Sequence, residues 1–196
     1  MSPETLILEH LPETHKAYLA FYRNVENAAF LHEQLLARNS DFEYAFIDAS
    51  VIVSRLQVLS AVFKATSIAV DGTLKTPNVH SEIVASLTSS NNIAEAYRRF
   101  GVSPATKDLI VIKVSIPTAT TEPLSADKVW RHLEENVKGS PTELTDEALV
   151  EITDLQKVRK YYKLNGLPWL DNLKDEKAKR KELEGLILGG MALRGI

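Results

Sequence analysis

The chain has 196 residues, 44% hydrophobic and 25% charged, and 23 Lys and Arg against 26 Asp and Glu leave a formal net charge of −3. These proportions describe one ordinary globular domain with material for a sizeable core, and a near-neutral balance leaves only a local patch for any contact with nucleic acid. The absence of Cys excludes disulfides, thiolate metal sites, iron–sulfur clusters and Cys-nucleophile chemistry, and agrees with a reducing compartment.

Residues 6–8 read as a short strand, cut off by Glu9, His10 and Pro12 before reaching the length of a secretory signal. No window approaches the roughly 18 apolar residues of a membrane span, so no membrane contact is expected. Residues 17–22 (Ala-Tyr-Leu-Ala-Phe-Tyr) form a second strand. Asn27 caps a helix carrying Ala28, Leu31, Leu35 and Leu36, closed by Arg38 and Asn39. Residues 43–48 return to strand character, with Asp48 at the end in a turn or site role. Ser54 caps the next helix, whose apolar stripe is Leu56, Leu59, Val62, Phe63 and Thr66, ended by Asp71 and Gly72. Residues 82–87 (Glu-Ile-Val-Ala-Ser-Leu) predict a strand. Asn92 with Glu95 makes a capping-box variant. The helix it opens carries Ile93, Ala96, Tyr97 and Phe100, and Gly101 predicts a left-handed terminal residue.

Residues 109–114 are nearly continuous and β-branched, the pattern of a buried central strand. A Thr-rich loop follows over 117–123. Ser125 caps a helix with Ala126, Val129, Trp130, Leu133 and Val137 at helical spacing, stopped by Gly139, Ser140 and Pro141. Leu149, Ile152, Leu155, Val158 and Tyr162 mark one further helical segment, broken at Asn165 and Gly166. Residues 171–184 are densely charged, with Asp175/Lys179 and Glu176/Arg180 at the i, i+4 spacing of an exposed helix. They run into the apolar stripe Leu183, Leu186, Ile187, Gly190 and Met191. The sum predicts an α+β fold in a single domain over 1–196. A small mixed or antiparallel sheet is packed by several helices and a C-terminal helix, for which 171–182 is a charged lead-in.

Catalytic equipment is sparse. There is no phosphate-binding glycine loop, no dinucleotide fingerprint and no nucleophile elbow. His10, His15, His32, His80 and His132 are scattered, and none pairs at zinc-site spacing. His32 and His132 are expected at the surface, and the pairs Glu134–Glu135 and Asp146–Glu147 read as solvated faces. No catalytic residue, metal site or cofactor is expected, and an enzyme is disfavoured.

Two features stand out. Arg98 and Arg99 end a capped helix, and Lys75, Asn78 and His80 lie in a loop that a compact fold can bring near them. Guanidinium and ammonium groups seat phosphates, while Asn, His or an aromatic ring addresses a base. Compensation of the helix dipole explains the arginine pair as well. The second feature is the C-terminal stripe, which carries adjacent Gly189 and Gly190. Gly inside a helix costs roughly 0.5–1 kcal/mol against Ala, so close approach of another backbone is implied. Core and interface are equal readings of that stripe.

Residues 54–65 (Ser-Arg-Leu-Gln-Val-Leu-Ser-Ala-Val-Phe-Lys-Ala) resemble the PRPK-binding protein family, the kinase-binding subunit of the EKC/KEOPS complex. Further pieces follow in the family's order: residues 78–83 (Asn-Val-His-Ser-Glu-Ile), 91–102 and the terminal 192–196 (Ala-Leu-Arg-Gly-Ile), with 46–48 as the family's upstream strand. The resemblance implies a non-catalytic subunit that binds and allosterically modulates an atypical kinase/ATPase, meeting other KEOPS subunits through it. That complex makes threonylcarbamoyl-adenosine beside the anticodon of tRNA. Archaeal relatives bind the tRNA 3′ CCA end, and fungal complexes are tied to telomere maintenance and transcription. The chain looks fungal, which implies nucleus and cytoplasm, including telomeric chromatin. Carried onto this sequence, the kinase contact falls on Leu186, Ile187, Gly190, Met191, Leu193, Arg194 and Ile196. The tRNA contact falls on Lys75, Asn78, His80, Arg98 and Arg99. Residues 171–181 look longer than the family's usual lead into its last helix, and the 117–123 loop looks individual. The alternative is a free-standing module for the tRNA 3′ end without a kinase.

Overall fold

A sheet buried on both faces organises the computed structural model, which describes residues 2–117 and 123–194. In chain order its elements are β1 (Glu4–Leu6), β2 (Lys16–Arg23), α1 (Ala28–Leu36), β3 (Ala45–Asp48), α2 (Arg55–Val70), α3 (Val79–Ser86), α4 (Ile93–Phe100) and β4 (Leu109–Ser115). The second half adds α5 (Ala126–Asn136), β5 (Ser140–Thr142), α6 (Asp146–Ile152), α7 (Leu155–Tyr161), α8 (Pro168–Asp171) and α9 (Glu176–Ala192). The strands lie in the order β1-β2-β4-β3, every pairing antiparallel, and β5 shares the outer edge of β2 with β1. The expected α+β fold is the one observed.

β2 and β4 lack the apolar–polar alternation of a one-sided sheet because helices cover both faces. Leu19, Phe21, Ile47, Ile110 and Ile112 face a core shared with α2, α3, α7 and α9. Tyr18, Tyr22, Phe46 and Val111 face a second core closed by α1 and α5. His132, expected at the surface, is half-buried against that second core. Its ring stacks on Tyr44 with centroids 5.5 Å apart, and its Nδ1 lies 2.9 Å from the Tyr44 hydroxyl.

Three local readings are corrected. Residues 82–87 are not a strand but most of helix α3, opened by Asn78, whose side chain accepts from Ser81 N–H at 2.8 Å. The helix is buried almost all round, so its apolar run carries no amphipathic period to separate it from a strand. Gly101 is extended, at φ −72° and ψ 163°. Glycine is needed there because a Cβ would stand 2.7 Å from the Tyr97 carbonyl oxygen. The segment from Leu149 to Tyr162 is two helices, because Thr153 donates to the Ile52 carbonyl at 2.7 Å and Asp154 recaps the chain on Gln156 and Lys157 N–H. β5 and α8 go unforeseen, being short. The Thr-rich loop lies largely outside the described residues.

α3 also completes the sheet. β3 pairs with β4 only as far as Ala45 opposite Ile112. Val114 N–H therefore donates to His80 Nε2, at 3.0 Å. Nε2 accepts, so the ring is neutral with its proton on Nδ1. Burial, then the nearby Lys113 ammonium, holds the His80 pKa well below that of a free imidazole. The unfolded chain takes up this proton first, at about pH 6.5. Stability is thus full above that pH and falls below it, at up to about 1.4 kcal/mol per pH unit. His80→Gln keeps an acceptor without titrating, and urea unfolding from pH 7.5 down to 5 is expected to show a shallower loss for it than for the parent; equal slopes would refute the assignment.

Candidate functional site

α2 begins where the Ser54 hydroxyl accepts from Gln57 N–H at 3.2 Å. Gln57 is itself buried and links three elements. Its Oε1 accepts from Val53 N–H at 2.9 Å and its Nε2 donates to the Tyr162 hydroxyl at 2.9 Å, which in turn donates to the Leu87 carbonyl. The face that packs inward consists of small or β-branched residues, Val58, Ala61, Val62, Ala65 and Thr66. This differs from the stripe predicted for the helix. Small side chains let α2 approach the buried α3 closely, and the bulkier apolar residues are turned out. Leu56 is 50% exposed, Phe63 42% and Val70 41%, with Leu59 half-buried between the first two.

Across from this face stands the end of β1, where Ile7 is 90% exposed. Arg55 fixes the geometry by pairing with Glu4 at 2.5 Å. Leu6, Ile7, Leu8, Leu56, Leu59 and Phe63 then line an open cleft of about 720 Å³. Water-exposed apolar groups gathered in this way mark an interaction surface more than a folding remnant.

The C-terminal stripe divides. Leu183, Ile187 and Met191 are buried in the core, and Leu186 packs half-buried against it. Gly190 meets Ser89 Cβ at 3.5 Å and Tyr162 Cδ1 at 4.0 Å from its virtual Cβ, whereas nothing lies within 4 Å of Gly189. Of the residues expected to touch a kinase, Leu193 stands out into solvent at 68% exposure. Ile187 and Met191 pack inside the molecule, and Ile196 lies outside the described residues.

Arg194 is also turned inward. Its Nε donates to the Ser90 carbonyl at 3.0 Å and its Nη1 lies 3.5 Å from Glu82 Oε1, with both side chains buried. The contact is an ion pair too long for a good hydrogen bond, since Oε1 has no bonded partner. Lys64 supports the same turn from α2, donating to the carbonyls of Met191 at 2.8 Å and Arg194 at 3.2 Å. Burial, then the neighbouring Arg194 cation, lowers the Lys64 pKa. Together these cations hold the end of α9 against α2, with Leu193 exposed at that end. Lys64 and Glu82 escaped the sequence reading because a Lys on an amphipathic helix and a Glu at a supposed strand start carry no pattern of their own.

The basic candidates fall into two clefts. Asn78 and His80 line one of about 350 Å³ with Arg38, Phe42, Tyr44 and Tyr97. Asn78 Nδ2 donates to Glu43 Oε1 at 2.8 Å, and His80 Nδ1 is buried with no partner. Lys75 is exposed and does not line this cleft; its backbone N–H donates to Glu82 Oε2 at 3.2 Å. Arg98 and Arg99 line another cleft of about 570 Å³, beside Asp48, Asp108, Glu151 and Asp154. Arg99 is a structural residue. It pairs with Glu95 at 2.5 Å, donates to the Tyr161 carbonyl at 2.9 Å and lies over the Tyr161 ring. Of the pair, Arg98 is the one exposed to solvent, with a loose contact to Glu95 at 3.5 Å.

Among the described residues no group of three or more His, Asp or Glu could hold a metal ion, and no helix is long and apolar enough to cross a membrane. A sheet sealed on both sides, with an open apolar cleft and a braced terminal helix, is the build of a protein that binds other proteins. The family model of the kinase-binding protein CGI-121 matches residues 22–195. The EKC/KEOPS complex subunit CGI121 of Gibberella zeae is 64% identical over 197 residues, covering 100% of both chains. That of Neurospora crassa is 47% identical over 207 residues, again 100% of both. That of Schizosaccharomyces pombe is 34% identical over 160 residues, 82% of this chain and 88% of its own. The chain belongs to the CGI-121 family of kinase-binding proteins, and it is not an enzyme.

Arg194→Met would leave the buried Glu82 carboxylate without its ion-pair partner, at a cost of about 3 kcal/mol. The double substitution with Glu82→Gln is expected to cost less than the two single changes summed, measured by urea unfolding. Strict additivity would show that the two groups are not coupled.

Proposed function

We propose that this protein is the kinase-binding subunit of an EKC/KEOPS complex, acting in nucleus and cytoplasm. It docks an atypical kinase/ATPase, modulates it allosterically, and helps bring tRNA to the complex for threonylcarbamoyl-adenosine formation. The relatives named above carry that complex in their names. The observation that carries the docking is the exposed apolar face of α2, with Leu56 and Phe63 turned outward and Leu193 braced at the adjoining end of α9. Buried apolar anchors dominate the energy of protein interfaces. Phe63→Glu and Leu193→Glu each place a charge where the isolated protein already meets water, so neither disturbs the fold. Either change is expected to weaken co-purification of the partner kinase by about thirtyfold or more while the unfolding midpoint stays put. Unchanged binding by both would remove the site.

For tRNA, the aromatic-walled cleft beside Asn78 and His80 favours a nucleotide end over the Arg98 cleft. It offers rings for stacking, a buried unpaired N–H donor and the exposed cation Arg38 in its lining, with Lys75 exposed three residues before Asn78 in the chain. In the Arg98 cleft four carboxylates offset the four cations Arg98, Arg99, Lys107 and Lys157, which leaves no net positive charge for phosphate. Charge reversal at Lys75 and Arg38 is expected to weaken tRNA binding and to reduce its salt dependence by about one unit of slope per lost phosphate contact, while Arg98→Glu leaves both unchanged. The reverse result would move the contact to the other cleft. tRNA binding by the isolated chain, as tight as that of the complex, would favour the free-standing module.

A further inference from the structure

At the other end of α9, a cavity of about 500 Å³ opens between α7, α8 and α9. Its floor is apolar: Leu170 and Leu183 are buried in the core and Leu155 is partly exposed. Its rim is cationic, with Arg159 and Lys160 from α7 and Lys179 and Arg180 from α9, against the single lining carboxylate of Glu176.

The state of these charges is uneven. Arg159 is already answered, by Asp171 at 2.5 Å and by the Leu164 carbonyl. Among the described residues no carboxylate comes within ion-pair distance of Lys160, Lys179 or Arg180. Nε and Nη2 of Arg180 are buried and have no hydrogen-bond partner. Burial lowers the Arg180 pKa, and the Asp146 carboxylate on its other side offsets this only in part. Asp146 is itself engaged, accepting from Arg55 N–H at 2.7 Å. A guanidinium cannot shed its charge, and buried donors in folded proteins are satisfied. Two such donors without an acceptor in the chain, on a half-buried side chain that lines an open cavity, leave Arg180 available to an acceptor from outside.

We propose that this cavity binds a short acidic segment of a partner protein, seating an apolar side chain on the leucine floor and a carboxylate on Arg180. The fork of guanidinium N–H groups matches a carboxylate in two-point geometry. A volume of about 500 Å³ suits one apolar side chain and its neighbours. Nucleic acid fits less well, because none of the lining residues is aromatic and so no surface stacks a base. Arg180 and Leu193 lie roughly 20 Å apart along the helix at 1.5 Å per residue. This is therefore a second partner site, separate from the apolar face of α2.

The test uses the full chain and a fluorescein-labelled peptide alternating leucine with aspartate, measured by anisotropy. Controls are the same peptide with serine for leucine, and oligouridylate. Saturable binding of the leucine peptide is expected, about tenfold or more weaker in Arg180→Met, and unchanged in Arg131→Met, a substitution of an exposed cation on α5. The free Arg180→Met protein is also expected to melt at a higher temperature than the parent, since two buried donors without an acceptor have been removed. A lowered midpoint would give Arg180 a structural role and overturn the proposal. So would absent binding, equal binding of the serine peptide, or tighter binding of oligouridylate at the same residues.

Discussion

The burial of α3 is the constraint on which the rest of this molecule depends. Seven of its eight residues are buried, among them His80 and Glu82. Polar groups in such a place must be answered by tertiary partners, and each answer builds something. His80 supplies the acceptor that β4 loses where β3 stops. Glu82 faces Arg194 and receives the backbone N–H of Lys75, which joins the last turn of the chain to the loop before α3. A helix placed against the sheet for its apolar bulk thus also sets the position of the C-terminus.

The same packing shapes the surface. Close contact with α3 favours small side chains on the inner face of α2, and Leu56 and Phe63 are left outside. In most helices the largest apolar residues are buried first. Their exposure here, together with Ile7 and Leu193, makes an apolar surface held on rigid elements. α9 runs between two functions. Its C-terminal end is braced by Lys64 beside the α2 face, and its N-terminal half walls the cation-rimmed cavity. Its middle, Leu183 and Ile187, is core. A partner at either end meets a helix that is already anchored and loses little entropy on binding.

Much of this was legible beforehand. Helix caps at Ser54, Asn92 and Ser125 are local hydrogen bonds in which a side-chain oxygen accepts from the backbone N–H three residues on, so short-range pattern finds them. The central strand β4 declared itself by continuous β-branched residues. The kinase-binding family was legible from the order of short motifs. What failed was any feature whose partner is distant in sequence. α3 looked like a strand because a helix buried all round shows no period. The α2 stripe follows from apolar spacing, whereas the close approach of another helix selects for smallness.

The candidate site followed the same division. By itself the sequence determined a Cys-free α+β chain with an apolar C-terminal helix and a few basic positions, because composition, periodicity and capping are properties of neighbouring residues. Only the tertiary structure decided which of those residues are spent. Ile187 and Met191 went into the core, Arg194 into a buried ion pair, and Arg99 onto Glu95 and Tyr161. Leu193, Phe63 and Arg180 were left with unmet surface or unmet donors. Whether a side chain is free to bind depends largely on groups distant in the chain, as Glu82 is from Arg194 and Tyr161 from Arg99, and long-range packing brings those groups within reach.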